Sequence, residues 1–179
     1  MTVDDNTLLK MLASPETKRK AFGLIVSQYS EMLYWKIRHF VLYHDDADDV
    51  MQNVLMKAWM NIDRFKADSK ISTWLYSIAV NESLDFLRRK KNVADADADL
   101  YAARHLMADE YFDGDATEAL LQEAIARLPD MQRTVFLLRY YDEMKYSEMS
   151  KMLQRTEGAL KANYHIAAQK VLDYIKHRD

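Results

Sequence analysis

Hydrophobic positions along this chain recur at helical spacing. Phe22, Ile25, Val26 and Tyr29 follow the i, i+3, i+4, i+7 template of an amphipathic helix. Ser14-Pro15 just upstream is a helix-start signal, because Ser can cap and Pro fits the first turn. That helix is predicted to run to about Tyr43. A second is predicted to start near Asp46–Asp49, where Asp45, Asp46, Asp48 and Asp49 sit well against the positive end of the helix dipole. Its core stripe reads Val50, Val54, Leu55, Ala58, Trp59 and Ile62, and its other face carries Asp49, Gln52, Asn53 and Met56. A third runs from about Ser69 or Ser72 to Lys91, after the loop Arg64-Phe65-Lys66-Ala67-Asp68-Ser69-Lys70. Further helices are predicted at about 116–128, 130–141, 147–153 and 157–176, with Pro129 breaking the first two apart. No strand alternation and no fixed-period repeat is present. The pattern implies an all-α chain of two small helical domains.

Composition narrows this further. The 179 residues are 49% hydrophobic and 30% charged, enough to bury a core. Gly 3 and Pro 2 argue against turn-rich β folds. Gly23, Gly114 and Gly158 lie too far apart to form a glycine-rich phosphate loop. Absence of cysteine excludes disulfides, thiol nucleophiles and cysteine-ligated metals. The acidic start, Met-Thr-Val-Asp-Asp, is unlike a secretory signal, and no apolar run reaches membrane-spanning length. A soluble cytoplasmic protein is expected, with no membrane insertion.

The net charge of −3 conceals a pattern. Residues 1–91 hold 14 Lys/Arg against 12 Asp/Glu, and residues 120–179 hold 10 against 8. Between them, residues 92–119 hold Arg104 against eight acids. Ala94-Asp95-Ala96-Asp97-Ala98-Asp99 has no apolar face, and its carboxylates repel. It reads as an extended or weakly ordered linker, or as a solvated surface loop. The implied organisation is a domain over 14–91, an acidic linker over 92–115 and a second domain over 116–179.

The stretch Tyr146–Ile175 is the most informative. A short helix, Ser147–Leu153, is followed by Gln154-Arg155-Thr156 and a longer helix from about Glu157, which Thr156 can cap. Leu160, Tyr164, Ala167, Val171 and Ile175 form one stripe, while Lys161, His165 and Gln169 lie off it with Ala162 between them. A short helix, a tight turn and a longer helix with a polar outer side match a helix-turn-helix, whose second helix fits the DNA major groove. A plain helical hairpin with a wet outer face has the same spacing. His165 by itself is no argument for DNA.

Taken together, these segments resemble the extracytoplasmic-function group of bacterial sigma factors. Asp46-Ala47-Asp48-Asp49-Val50-Met51-Gln52-Asn53-Val54 is similar to the family's D-A-E-D-L-V-Q-E-V. Phe65-Lys66-Ala67-Asp68-Ser69-Lys70-Ile71-Ser72-Thr73-Trp74-Leu75-Tyr76-Ser77-Ile78-Ala79-Val80-Asn81 resembles F-R-G-D-S-x-F-x-T-W-L-x-x-I-A-x-N. Asp85-Phe86-Leu87-Arg88-Arg89-Lys90-Lys91 resembles D-x-L-R-R-x-K. In the second block, Leu128-Pro129, Gln132-Arg133 and Val135-Phe136 resemble L-P-x-x-x-R-x-V-F, and Tyr146–Leu153 resembles Y-x-E-I-A-x-x-L. The likeness covers about residues 17–91 and 116–176.

The resemblance implies an alternative sigma factor that binds core RNA polymerase and directs promoter-specific initiation without cofactor or catalytic step. It implies a region-two-like bundle and a region-four-like helix-turn-helix domain. Asp48, Asp49, Gln52, Asn53 and Met56 would then lie on the face that docks on polymerase; a solvated face is the bland alternative. Phe65, Lys66, Asp68, Ser69 and Lys70, with Asn81, would read the minus-ten element by capturing a flipped-out base. A ring stacks on such a base and an amide bonds its edge. On periodicity alone Phe65 serves equally as core. Arg88, Arg89, Lys90 and Lys91 would hold backbone near the melted region. Lys161, Ala162, Asn163 and His165 would read the minus-thirty-five element, with Lys145, Arg155 and Thr156 at phosphates. Promoter DNA and an anti-sigma factor, often membrane-bound in the family, complete the implied partners. Ala67, Ile71, Gln154, Thr156, Asn163 and Ile166 depart from the residues frequent in the family. The loss of arginine at two of these positions implies weak, salt-limited DNA binding by the free chain.

The residues also offer two rival chemistries. His44-Asp45, with His39, suits a helical metal-dependent phosphohydrolase, but His105, His165 and His177 lie in the linker and the other block. The aspartates at 45–49 lack the glycine and glutamate of a calcium loop. The non-enzymatic rival is a stand-alone helix-turn-helix regulator that binds DNA without polymerase.

Overall fold

A computed structural model describes residues 3–65, 69–93, 103–108 and 114–178. The chain divides into two compact units, residues 1–93 and 94–179. Among the described residues every regular element is helical.

The first unit holds α1 (Asp5–Leu12), α2 (Pro15–Phe40), α3 (His44–Asn61), a 3-10 turn (Ile62–Arg64) and α4 (Ile71–Val93). Helices α2, α3 and α4 pack on one another, and α1 lies on α2. The sequence pattern had not flagged α1. At eight residues it is too short to persist alone. Asp4 caps it by accepting from the Thr7 N–H at 3.0 Å, and Leu8 is fully buried. Asp5 ties it to its neighbours, accepting from the Tyr29 hydroxyl at 3.2 Å and the Ile71 N–H at 3.0 Å.

Helix α2 begins at Pro15 as the sequence predicts, although the Ser14 hydroxyl makes no capping bond. Its buried positions are Ala21, Ile25, Leu33, Ile37 and Phe40, while Phe22, Val26 and Tyr29 are half-buried. It stops at Phe40 rather than near Tyr43. Val41 is extended and, with Leu42, buried, and the guanidinium of buried Arg38 donates to the Leu42 carbonyl. The next helix therefore starts two residues earlier than expected, at His44. The core side of α3 is Ala47, Val50, Met51, Val54 and Ala58. Leu55 is only half-buried and Trp59 is exposed, its ring edge-on to Phe22 at 5.0 Å. Small Ala47 and Ala58 are what let α3 nestle between two other helices.

The second unit contains a 3-10 turn at Leu106–Ala108, then α5 (Ala116–Ala126), α6 (Asp130–Tyr140), α7 (Tyr146–Leu153) and α8 (Glu157–Lys176). Helix α8 packs against α5, α6 and α7. Its core includes Leu121, Ile125, Val135, Leu137, Leu138, Met149, Leu160 and Ala167. The aspartate alternation at 94–99 lies outside the described residues. Residues 103–108 of the acidic stretch join the second unit: Ala103 and Leu106 are buried, and the turn contacts α5. Arg104 donates to the Glu123 carboxylate at 2.9 Å. The same oxygen accepts from the Tyr174 hydroxyl at 2.7 Å, with Arg127 and Arg178 each at 3.4 Å. Burial pushes the Glu123 carboxyl's pKa up, but Tyr174 and the three guanidiniums outweigh it and hold the carboxyl below its ordinary range.

Candidate nucleic-acid and protein interfaces

The face of α3 opposite its core presents two kinds of side chain. Asp48, Asp49, Gln52 and Met56 are exposed there, and Asn53 is half-buried. At 100° per residue the stripe continues to Met60, which is 72% exposed, and is flanked by Trp59. Carboxylates thus occupy the amino-terminal half and soft apolar side chains the carboxy-terminal half. Met60 is an addition that the sequence signals only as the next turn after Met56, and Trp59, which the pattern puts on the core stripe, is exposed instead. His44 orders the acidic end: its Nδ1 lies 2.6 Å from the Tyr34 hydroxyl and its Nε2 lies 3.4 Å from Asp48.

A second surface runs along α4. Phe65 packs on Trp74 with ring centroids 5.1 Å apart and planes tilted by 39°. It is half-buried, so it belongs to a surface aromatic pair and not to the core. Asn81 is exposed, seven residues beyond Trp74, hence about 10 Å farther along the helix and about 20° around it. The aromatic pair and the amide therefore share one face. Trp74 was not among the sequence-predicted contacts, although its place beside Phe65 makes it part of the same platform. Ser69 and Lys70 are exposed at the entry to α4. Lys66 and Asp68 lie outside the described residues, as does the side chain of Lys91.

The basic end of α4 is not uniformly available. Arg88 is exposed and pairs with Asp85 at 3.0 Å, and Arg89 is exposed. Lys90 is half-buried, 2.5 Å from Asp46 and 4.7 Å from the centre of the Tyr43 ring. About two turns back along α4, the ammonium of Lys57 pairs with the buried carboxylate of Glu82.

In the second unit, α7, the turn and α8 assemble a helix-turn-helix. Gln154 ends α7 in the left-handed conformation, φ 52° and ψ 47°, which is why glycine suits this position. The turn is tightened by the Ser150 hydroxyl donating to the Arg155 carbonyl at 2.6 Å. Thr156 caps α8 as predicted, accepting from the Ala159 N–H at 3.3 Å. Arg155 and Thr156 are exposed at the turn, and Lys145 is exposed at the start of α7. On α8, Lys161, Ala162 and His165 are exposed, but Asn163 is half-buried and its amide donates to the Ala159 carbonyl at 2.8 Å. Asn163 is thereby turned to its own backbone. Lys161 lies 3.9 Å from Glu157 and 5.6 Å from the centre of the Tyr146 ring. Phe136, packed between Tyr140 and Tyr164 at 5.2 and 5.9 Å, fixes α8 against α6.

A helical bundle bearing an exposed polar-to-apolar stripe and a surface aromatic pair is followed by a helix-turn-helix unit. Residues 25–93 match the family Sigma-70 region 2, and residues 118–171 match Sigma-70, region 4. The chain is 33% identical to the ECF RNA polymerase sigma factor SigW of Bacillus subtilis, over 81% of this chain and 83% of that protein. It is 28% identical to the RNA polymerase sigma-H factor of Pseudomonas aeruginosa, over 86% and 85%. In fold it is similar to CnrH, solved in complex with the cytosolic domain of CnrY, with a TM-score of 0.67 at 23% identity over 98% of this chain and 99% of that one. The sigma factor RpoE of Bartonella quintana, solved with the anti-sigma factor NepR, gives a TM-score of 0.65 at 21% identity over 88% and 98%. The chain belongs to the extracytoplasmic-function group of RNA polymerase sigma factors. It is an alternative sigma factor, directing transcription initiation by RNA polymerase at chosen promoters.

Proposed function

We propose a division of labour among the surfaces described above. Residues 14–91 form the polymerase-binding and minus-ten unit, 92–115 the acidic connection, and 116–179 the minus-thirty-five unit. The α3 stripe of Asp48, Asp49, Gln52, Asn53 and Met56, extended by Met60, docks on a basic helical element of core polymerase. Its carboxylates steer the encounter and its methionines are desolvated on contact. The Phe65–Trp74 pair stacks an unstacked base of the minus-ten element and Asn81 bonds its edge, while Arg88 and Arg89 neutralise the adjacent phosphates. Helix α8 enters the upstream major groove, with Lys145 and Arg155 at phosphates. No covalent step is needed, because opening is driven by capture of bases at a cost of a few kcal/mol each. This work is done in the cytoplasm, and an anti-sigma factor covering the α3 stripe would silence it.

The observation that carries this reading is the continuous exposed stripe of α3, acidic and then methionine-rich, on the helix face that the core does not use. The test is retention on immobilised core RNA polymerase, followed by run-off transcription on fragmented genomic DNA. Wild-type chain should be retained and should redirect start sites. Met56→Asp should lose retention, whereas Phe65→Ala should keep retention and lose opening. Equal retention of wild type and Met56→Asp would remove the docking assignment.

A further inference from the structure

The outward stripe of α8 contains little that donates to bases. At 100° per residue, the positions opposite Leu160, Ala167 and Val171 in the first turns are Gly158, Ala162, His165, Ile166 and Gln169. Of the polar side chains on or beside that stripe, His165 is exposed and the other three are engaged by neighbours. Asn163 donates to the Ala159 carbonyl at 2.8 Å, Gln169 donates to Asp173 at 2.8 Å, and Lys161 is drawn toward Glu157 and Tyr146. What faces outward instead is an apolar pair one turn apart. Ala162 is exposed and Ile166 is 45% exposed. Gly158 below them has no atom within 4 Å of where a Cβ would stand, so nothing there holds a partner's surface away. The exposed cation Arg155 stands at the turn before α8, and exposed Lys145 stands at the start of α7, so cations bracket the helix pair as on a surface placed on phosphates.

The major groove offers one apolar group, the C5 methyl of thymine. We infer that Ala162 and Ile166 read thymine methyls at neighbouring base pairs of the upstream promoter element, with Ile166 supplying most of the contact. This rests on the assignment of α8 to that element. The upstream motif is therefore chosen by apolar contact at these positions and not by bidentate hydrogen bonds.

The test selects binding sites from a randomised duplex library, using the full chain alone and the full chain bound to core polymerase. Retention on core is scored separately, so its failure removes the polymerase reading and not this one. Selected sites are recopied with thymidine or with deoxyuridine, which lacks the methyl. Wild-type chain should enrich thymine at one or two adjacent positions and bind the uracil copies about fourfold more weakly for each methyl lost. Ile166→Ala should bind thymine and uracil copies equally. Ile166→Arg should exchange the thymine preference at that position for guanine. The inference is overturned if wild type fails to distinguish the two copies in either arm, if Ile166→Ala keeps the distinction, or if no upstream sequence is enriched.

Discussion

Lys90 and Asp46 are joined by an ion pair of 2.5 Å, 44 residues apart in sequence, beneath the ring of Tyr43. The last turns of α4 are thereby tied to the first turn of α3, and one cation of the basic run is withdrawn from solvent. Both side chains are about three-quarters covered, at 22% and 25% exposure. A double-mutant cycle with Lys90→Ala and Asp46→Ala should give a coupling of about 1 kcal/mol. Trp35, Trp59 and Trp74 all lie in the first unit, so tryptophan fluorescence during urea unfolding reports this cycle selectively.

On the proposed assignment of the basic end of α4 to DNA, the same pair sets Lys90 apart from its neighbour. For single-stranded minus-ten DNA and the free chain, Arg89→Gln should reduce the slope of log affinity against log salt by about 0.7, the loss of one phosphate contact. Lys90→Gln should leave that slope unchanged. A reduction with Lys90→Gln equal to that with Arg89→Gln would show the pair open in solution.

Gln154 holds a positive φ without being glycine. Gln154→Gly should stabilise the second unit by about 1 kcal/mol, because the left-handed conformation costs a side-chain-bearing residue about that much. Helicity followed by circular dichroism, in the unfolding phase that tryptophan does not report, is the measurement. A destabilisation would mean that the turn relaxes to another conformation in solution.

Glu123 makes the second unit sensitive to acid. Its carboxyl is held below its ordinary value of 4.5, so its contribution is complete above that pH and is lost as pH falls below it toward the lowered value. Glu123→Gln leaves Arg104, Arg127 and Arg178 without their shared carboxylate and should cost about 1 kcal/mol at neutral pH, because those guanidiniums are partly exposed and water can solvate them. It should also flatten the stability profile below pH 4.5, measured by urea titrations at several pH values.

Ser83 is fully buried in α4, and its hydroxyl has no hydrogen-bond partner among the described residues. Ser83→Ala removes that unpaired group at little cost in volume and should stabilise the first unit by about 1 kcal/mol. Destabilisation in the fluorescence-detected urea midpoint would point to a bound water satisfying the hydroxyl.

Element boundaries were most legible where a local punctuator sets them. Pro129 heads α6, Thr156 caps α8 with its side chain, and both helices begin within a residue of the sequence expectation. Boundaries set by distant contacts were not legible. Helix α2 stops three residues early because Val41 and Leu42 are buried and Arg38 takes up a carbonyl. Helix α1 exists because Gln28, Tyr29 and the start of α4 hold it. Among site residues, the α3 stripe was readable, since its polar and methionine positions are fixed by helical period. The half-buried, tilted contact of Phe65 with Trp74 was not, since periodicity could not separate core from surface there.

The order of apolar and polar residues thus determined by itself that the chain is helical, about where every described α-helix but α1 lies, and which stripe of α3 and of α8 faces outward. Those properties depend on interactions within a few residues. Only the tertiary structure decided that Asn163 turns to its own backbone while Ile166 stands clear, that Lys90 belongs to Asp46, and that Arg104 of the acidic stretch is anchored on Glu123. Each of those outcomes is a competition between solvent and a particular neighbour. Helical period fixes where a side chain points, but the neighbour it meets there is brought by the fold.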